Sequence, residues 1–419
     1  MKGKKLALLA AVLALCVSGC ARADSPPADP AASVPAAETP VSSGSAPGPS
    51  ASPAGRPAGE LTFHNNPDGA AAGDGFYYPR PGEGAGSVLC RLDFASGQSA
   101  PVCAVPGCEH GGDECPAYFS CYANLPVPVL WQGRLVLIFP GNPFAGEPGD
   151  EAYLPRIELA ETDGTGRREL VRLAPEEQIA VGFATDDNRL YFLTSPVERQ
   201  TCQPAWTLKS VDLSTGQTDD LARYGGESMA VGYYLTGCTE EGLVIKRIET
   251  TGELEPSEES VASNVHSLML VDRQNGVPRP LKQWRQDEIA ECVSDGQLFY
   301  CDGEGRLFRS ALDGTEDRLA AQLPAAVQPK NISFGADCAP WLSITGRDDA
   351  GSTFRWLCNT RTGEVADWSG SSGSDRLLVS LGPEWSVLSN TPPGAGQTRL
   401  ERIATADLLA GRREFLPVD

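Results

Sequence analysis

One repeating unit, clearest between residues 294 and 319, limits the folds that this chain can adopt. The unit reads SDGQLFYCDGEGRLFRSALDGTEDRL. Its Asp295-Gly296 pair is typical of a two-residue hairpin turn, which needs positive φ at both central residues. Alternating apolar residues follow, and Asp313-Gly314 predicts a second turn. Each unit therefore predicts a small antiparallel sheet, which has to stack against further copies to bury both of its faces.

The first turn recurs along the chain before successive apolar runs. The seven predicted copies are Asp74-Gly75, Gln132-Gly133, Asp187-Asn188, Glu241-Gly242, Asp295-Gly296, Ala336-Asp337 and Pro383-Glu384. A second turn follows each of them, at Ser96-Gly97, Asp163-Gly164, Thr215-Gly216, Asn275-Gly276, Asp313-Gly314, Thr362-Gly363 and Ala410-Gly411. The first turns are 58, 55, 54, 54, 41 and 47 residues apart. This period predicts an all-β, seven-bladed β-propeller of four-stranded antiparallel blades. The alternatives are an irregular β-sandwich and a ring of six or eight blades.

Residues 1–20 have the features of a bacterial export signal. A lysine-rich start precedes the apolar run LALLAAVLALCV, which is too short for a transmembrane helix, and small residues precede Cys20. The ending Val-Ser-Gly-Cys resembles the bacterial lipobox. That resemblance implies a diacylated Cys20 that anchors an exported protein to the outer face of the cell membrane. The alternative is an ordinary secreted protein with an incidental cysteine.

The remaining chain divides into a tether and a folded domain. Residues 21–59 are rich in Pro, Ala, Ser and Gly and predict a disordered tether, because they offer almost no apolar side chain to a core. Residues 60–419 are predicted to form the propeller, and residues 61–63 a strand that completes its last blade. The formal net charge of -21 argues against nucleic acid as a partner. We expect a monomer.

The segment VCAVPGCEHGGDECPAYFSCY, residues 102–122, gathers cysteines just after the last strand of the first blade. Cys103, Cys108, His110 and Cys115 offer three thiolates and one imidazole, enough to fill a structural zinc site. The alternative is structural disulfides, including one that uses Cys121, because export favours thiol oxidation. A catalytic metal is disfavoured, since these four ligands leave no position for water.

Two further cysteine pairs are disulfide candidates. Cys292 is expected opposite Phe299 in the hairpin around Asp295-Gly296, which makes Cys301 its diagonal neighbour on the same face. Cys338 and Cys358 lie in one repeat and are expected to approach each other.

Together these features resemble a group of uncharacterised propeller lipoproteins of Gram-positive anaerobes. The resemblance rests on the lipobox, the tether, turn phrases such as VDLSTGQ, and a loop of pattern C-x-x-P-x-C-x-H-x4-C-x-A. In this chain the loop residues are Cys103, Pro106, Cys108, His110, Cys115 and Ala117. More distantly, the chain resembles TolB-like and WD40-like propellers, and TolB-like propellers bind partners. The resemblance implies a location and a shape, and it leaves the function open.

The sequence contains no recognisable catalytic constellation. Its three histidines are His64, His110 and His266, and the last lies in the predicted strand NVHSLML as a packed or surface-facing residue. No length is left for the hydrolase domain that accompanies prolyl-peptidase propellers. We therefore predict a module without cofactor, apart from the candidate zinc, that binds a protein, peptide or glycan or acts as a scaffold. The alternative is an extracellular hydrolase or lyase that acts on glycans or peptides at the mouth of the propeller channel.

Overall fold

The predicted seven-bladed propeller is confirmed by the computed structural model. The model describes residues 59–81, 86–145, 149–196, 205–225, 231–250, 263–369, 375–391 and 399–418. Cys20 and residues 21–58 of the predicted tether lie outside these ranges. Within them, antiparallel strands form seven sheets, and each sheet supplies one four-stranded blade.

The first three blades occupy the N-terminal part of the described chain. Their strands are β1 Thr62–His64, β2 Ala70–Ala72, β3 Gly75–Pro81, β4 Ser87–Asp93, β5 Ser99–Pro101, β6 Tyr118–Phe119, β7 Val127–Trp131, β8 Arg134–Phe139, β9 Arg156–Glu161, β10 Arg168–Arg172, β11 Glu177–Thr185, β12 Arg189–Pro196, β13 Ala205–Asp212 and β14 Thr218–Gly225. Blade one contains β2 to β5, blade two β7 to β10 and blade three β11 to β14. Two 3₁₀ turns, Tyr122–Asn124 and Glu151–Tyr153, lie in the connections around blade two.

The last four blades follow in chain order. Their strands are β15 Val231–Thr239, β16 Gly242–Glu249, β17 Val265–Val271, β18 Pro278–Arg285, β19 Ala290–Ser294, β20 Gln297–Cys301, β21 Arg306–Ser310, β22 Arg318–Gln322, β23 Ile332–Cys338, β24 Trp341–Arg347, β25 Thr353–Asn359, β26 Val365–Asp367, β27 Asp375–Leu381, β28 Trp385–Thr391, β29 Arg399–Ala404 and β30 Leu416–Pro417. Each blade again takes four consecutive strands. A 3₁₀ turn, Pro329–Asn331, precedes blade six, and a short helix, α1 Thr405–Leu409, follows β29.

The first strand of each blade is innermost and lines the central channel. Because neighbouring strands are antiparallel, the connections between first and second strands lie at the same end of the ring as those between third and fourth strands. We call this end the turn end. The connections between second and third strands, and those between successive blades, lie at the opposite end, which we call the loop end.

The hydrophobic core lies between the blades. Alternation along each strand gives both faces of a sheet apolar residues, and each face packs against a neighbouring blade. The cluster between blades five and six, for example, contains the fully buried Phe299 and Trp356. Five such clusters each join one pair of neighbouring blades, and a sixth joins blades seven, one and two.

Four of the seven first turns lie where the sequence predicts them. Gln132-Gly133 has φ of 48° and 75°, and Asp295-Gly296 has φ of 49° and 68°. Positive φ at both positions is the property that a primed two-residue turn requires. Asp187-Asn188 and Pro383-Glu384 also occupy turns.

The predicted first turns of blades one and four are displaced by one residue. Gly75 and Gly242 pair with Ala72 and Thr239, so each glycine begins a strand rather than occupying a turn. A Cβ atom at Gly75 would lie 2.6 Å from the Leu92 carbonyl oxygen, and the corresponding approach at Gly242 is 2.3 Å. Glycine at these positions allows the backbone of the next strand to approach closely. The sequence alone does not distinguish this role from turn formation.

The first turn of blade six and the second turn of blade seven also differ from the prediction. The sixth first turn is Ala339-Pro340 instead of Ala336-Asp337, because β23 continues through an irregularity to Cys338, which pairs with Trp341. Before Ala410-Gly411 the chain forms α1, so the last blade has a helical connection there.

The N-terminal strand β1 lies in the channel, which corrects the expectation that it completes the last blade. Thr62 pairs with Thr185 and His64 with Phe183, so β1 extends blade three from its inner edge. Phe63 packs against the apolar cluster between blades three and four. The last blade has no vacant position, because the C-terminal strand β30 already supplies its fourth strand.

Blades seven and one close the ring without sharing a strand. Arg402 of β29 donates hydrogen bonds to the carbonyl oxygens of Phe94, at 2.9 Å, and Ser96, at 3.2 Å. Asn66 donates to the Val379 carbonyl oxygen at 2.6 Å. The apolar cluster that joins blades seven, one and two completes this junction.

Deletion of residues 59–64 is expected to accelerate amide hydrogen exchange in β11. The deletion uncovers the inner edge of this strand and removes Phe63 from the adjoining cluster. Exchange measured by mass spectrometry should increase over residues 177–185. It should stay unchanged over residues 332–338, an inner strand to which β1 does not pair. A selective increase in blade seven would instead support the sequence-based expectation.

Candidate metal centre

The cysteine-rich segment interrupts the outermost strand of blade one. Strands β5 and β6 both pair with β4, through Cys90 with Pro101 and Val88 with Tyr118. Between these pairs, Leu89 accepts a hydrogen bond from the Val102 amide and donates one to the Ala117 carbonyl oxygen, both at 2.8 Å. The chain thus leaves and rejoins one outer strand. We call residues 103–116 the rim loop, because it lies on the circumference of the ring and away from the channel.

The rim loop brings together the four residues that the sequence predicts as metal ligands. The ligand atoms of Cys103, Cys108, His110 and Cys115 all lie within 4.8 Å of one another. His110 Nδ1 lies 3.3 Å from Cys115 Sγ. Cys115 is 2% exposed, and Cys103 and Cys108 pack against the apolar cluster that joins blades seven, one and two. The four-residue group is therefore buried on the side of Cys115 and partly exposed at Cys103, Cys108 and His110.

Local turns fold the loop around the cluster. The Cys108 amide donates to the Val105 carbonyl oxygen at 3.3 Å, and Gly107 within this turn has φ of 74°. His110 has φ of 56°, which is uncommon for a residue other than glycine. A third turn joins the Cys115 amide to the Gly112 carbonyl oxygen at 2.9 Å. These reversals place the four side chains on one side of the loop.

Backbone amides stabilise sulfur charge at two positions of the cluster. The His110 amide donates to the Cys108 sulfur and lowers the pKa of Cys108 below its usual value. Burial raises the pKa of Cys115 to about 11, although the Ala117 amide also donates to that sulfur and opposes the shift. Without a further positive charge, Cys108 is therefore the better thiolate of the two.

Cys121 lies outside the cluster. Cys121 lies beside Tyr153 instead, and it raises the pKa of Tyr153. The structure therefore does not bring Cys121 to the other rim cysteines, as the disulfide alternative requires.

An ion network on blade two holds the C-terminal end of the rim loop. Glu158 is 6% exposed and accepts hydrogen bonds from Arg156 Nε at 2.7 Å and Arg167 Nε at 2.6 Å. Arg167 Nη1 also donates to the carbonyl oxygens of Pro116, at 3.1 Å, and Tyr118, at 2.9 Å. Burial favours a higher pKa for Glu158, but the hydrogen bonds and charges of the two guanidinium groups outweigh it and lower the pKa.

The hairpin cysteines lie as the sequence predicts. Cys292 pairs with Phe299, so Cys301 is its diagonal neighbour, and both pack in the cluster between blades five and six. Cys358 of blade six lies in the same cluster, and burial raises the pKa of both Cys301 and Cys358 to about 12. A bridge between Cys292 and Cys301 stays a prediction.

The expected approach of Cys338 to Cys358 is corrected by the strand register. Cys338 pairs with Trp341 and Cys358 with Leu342, and adjacent residues of one strand point to opposite faces. Cys338 accordingly packs toward blade seven and Cys358 toward blade five.

The histidines outside the rim loop are engaged by structural partners. His266 is 5% exposed, and its Nδ1 lies 3.2 Å from Glu291, which also accepts hydrogen bonds from Lys246 and Trp284. This network joins blades four and five and confirms a packed histidine, and His266 Nε2 is buried without a hydrogen-bond partner. His64 Nε2 lies 2.9 Å from Thr185 Oγ1, and burial lowers the pKa of His64 to about 4.

Asp68 lies in the connection between β1 and β2, and its carboxyl group has a raised pKa. Burial among the inner strands raises the pKa of Asp68, although its side chain keeps access to solvent. Its backbone amide donates to the Asn66 side chain.

Comparisons with known proteins identify the fold and no family. No family model matches the sequence, and no curated protein matches it. A puromycin hydrolase structure is similar at a TM-score of 0.53 and 16% identity, over 84% of this chain and 53% of that one. A prolyl endopeptidase gives 0.50 and 10%, over 86% and 50%. TolB from Acinetobacter baumannii gives 0.38 and 10%, over 79% and 77%.

The similarities to the puromycin hydrolase and the prolyl endopeptidase show the fold alone. This chain spans about half the length of the puromycin hydrolase and of the prolyl endopeptidase. The resemblance to lipoproteins of Gram-positive anaerobes stays a prediction. Within the described ranges, no helix is long and apolar enough to cross a membrane.

Replacement of Glu158 by Gln is expected to lower the free energy of unfolding at pH 7 by about 3 kcal/mol, because it leaves two guanidinium groups without their buried carboxylate. A lowered pKa means that this stabilisation is present at neutral pH and is lost as pH falls through the folded-state pKa. The difference between wild type and variant should therefore shrink below about pH 4.3.

Denaturant unfolding between pH 7 and pH 3 measures this difference. Glu169→Gln is the matched control, since its pair with Arg172 is exposed and is expected to contribute less than about 1 kcal/mol. Equal effects of the two substitutions at neutral pH would contradict the role assigned to Glu158.

Proposed function

We propose that this protein is an exported lipoprotein whose propeller binds a protein, peptide or glycan without transforming it. The observation that supports this most directly is the pairing of its buried ionisable groups. Glu158 and Glu291 each sit in an ion network inside or between blades. These networks commit both carboxylates to blade packing.

Anchoring is supported by the sequence of the first twenty residues and by the point where the chain enters the ring. The Gly59 carbonyl oxygen accepts a hydrogen bond from Arg273, which lies in the turn between the third and fourth strands of blade four. The chain therefore reaches β1 from the turn end. We therefore propose that the predicted tether joins the ring at that end.

The loop end is the surface that we assign to binding. Within the described ranges it carries the connection between β8 and β9, in which Phe144 is about half exposed. Loops at one end of a rigid scaffold commonly carry recognition. We assign the Cys₃His cluster a structural role rather than a role in ligand binding. We also propose that the module acts as a monomer.

Replacement of Cys20 by Ala is expected to abolish acylation and to move the protein from the membrane fraction to the medium. Metabolic labelling with a palmitate analogue and cell fractionation measure the two effects. Cys16→Ala is the matched control, because Cys16 lies in the same predicted signal but outside the lipobox, and it should keep both label and location. A labelled, membrane-bound Cys20→Ala protein would refute the anchor.

A propeller that only binds should return its ligand unchanged. Residues 60–419, immobilised and probed with glycan and peptide arrays in high salt, are expected to retain a defined set of ligands. Mass spectrometry after prolonged incubation should find each retained ligand at its starting mass. The heat-unfolded protein serves as the control for non-specific retention. Shortened or unsaturated products would replace this proposal with the hydrolase or lyase alternative.

A further inference from the structure

We propose that Cys103, Cys108, His110 and Cys115 bind one zinc ion in a closed tetrahedral site that fastens the rim loop to blade one. This inference concerns the architecture of the ring and does not depend on the proposed ligand-binding function. It rests on the arrangement of the four side chains and on the position of the loop in the outer strand.

The separations within the cluster suit tetrahedral zinc. Zinc binds sulfur at about 2.3 Å and imidazole nitrogen at about 2.0 Å, so tetrahedral ligands lie about 3.5 to 3.8 Å apart. His110 Nδ1 and Cys115 Sγ are 3.3 Å apart, and no two of the four ligand atoms are separated by more than 4.8 Å. Small side-chain rotations therefore complete the coordination without a change of the backbone.

The same arrangement does not suit a disulfide. A bridge would draw two sulfur atoms to about 2.0 Å and leave the third thiol beside an imidazole without a common partner. In the structure the imidazole nitrogen lies within the same 4.8 Å limit as the three sulfur atoms.

The ligand types select zinc from the common metal ions. Calcium and magnesium take oxygen ligands, and the loop carboxylates of Glu109, Asp113 and Glu114 are exposed and lie outside the cluster. Three thiolates and one imidazole in a tetrahedron are typical of structural zinc. No ligand position is left for water, so the site performs no hydrolytic chemistry.

The position of the loop gives this metal a structural role. Fourteen residues leave the outer strand after Val102 and return at Ala117, and both ends bond to Leu89. The loop tip has no apolar core of its own, since Val105 is half exposed. A metal tie between Cys103 and Cys115 therefore joins the two ends of the loop. It also fixes the Pro116 carbonyl that Arg167 of blade two contacts.

Elemental analysis of the full-length chain, purified in detergent without chelator, should find one zinc ion per molecule. The zinc content should fall at least about tenfold in Cys103→Ser, Cys115→Ser and His110→Ala. Cys121→Ser is the matched control, because Cys121 is a nearby cysteine that lies beside Tyr153 and outside the cluster, and it should retain the zinc.

Two measurements on the wild-type chain keep the test independent of variant folding. Cysteine alkylation followed by peptide mass spectrometry should modify Cys103, Cys108 and Cys115 only after chelation. Cobalt added to the metal-free protein should give one equivalent with tetrahedral thiolate bands in the visible spectrum. Absence of stoichiometric zinc together with a disulfide inside the rim loop would overturn the proposal. Retention of zinc by the Cys103→Ser and Cys115→Ser proteins would overturn it as well.

Discussion

Contact between neighbouring blades is the interaction on which the rest of this structure depends. No blade has a core of its own, and the apolar clusters lie at the junctions. The outer turns fit the preceding blade closely: a Cβ atom at Gly216 or Gly276 would lie 2.3 or 2.0 Å from a carbonyl oxygen of that blade. Every blade therefore needs two neighbours, and the chain has to close into a ring.

This dependence explains where the ring tolerates insertions and where it reinforces itself. The outermost strand contributes least to a junction, so the rim loop can interrupt it without disturbing the inner strands. A long loop still carries an entropic cost, which local contacts have to offset. Arg167 supplies one such contact at the C-terminal end of the loop, and Glu158 holds that arginine in place. A metal among the four loop ligands would supply the other.

Much of the fold was predictable because turn chemistry is local. Asp295-Gly296 specifies its own turn, and the spacing of such turns specifies the number of blades. The proximity of Cys103, Cys108, His110 and Cys115 was predictable for the same reason, since a short loop holds all four. What failed was non-local: nothing in Thr62–His64 indicates which sheet edge it joins, and Gly75 looks like a turn glycine until the neighbouring strand is in place. The separation of Cys338 from Cys358 depends likewise on one residue of register.

The buried charges of the ring have the same non-local origin. Glu291 begins blade five, and its partners Lys246, His266 and Trp284 come from three strands of blade four. A buried carboxylate is costly without its partners, so this network disfavours any other register between the two blades. Burial favours a higher pKa for Glu291, yet Lys246 and His266 lower it, which keeps the carboxylate charged. A charge committed in this way to blade pairing is held away from solvent, since the side chain of Glu291 is 5% exposed.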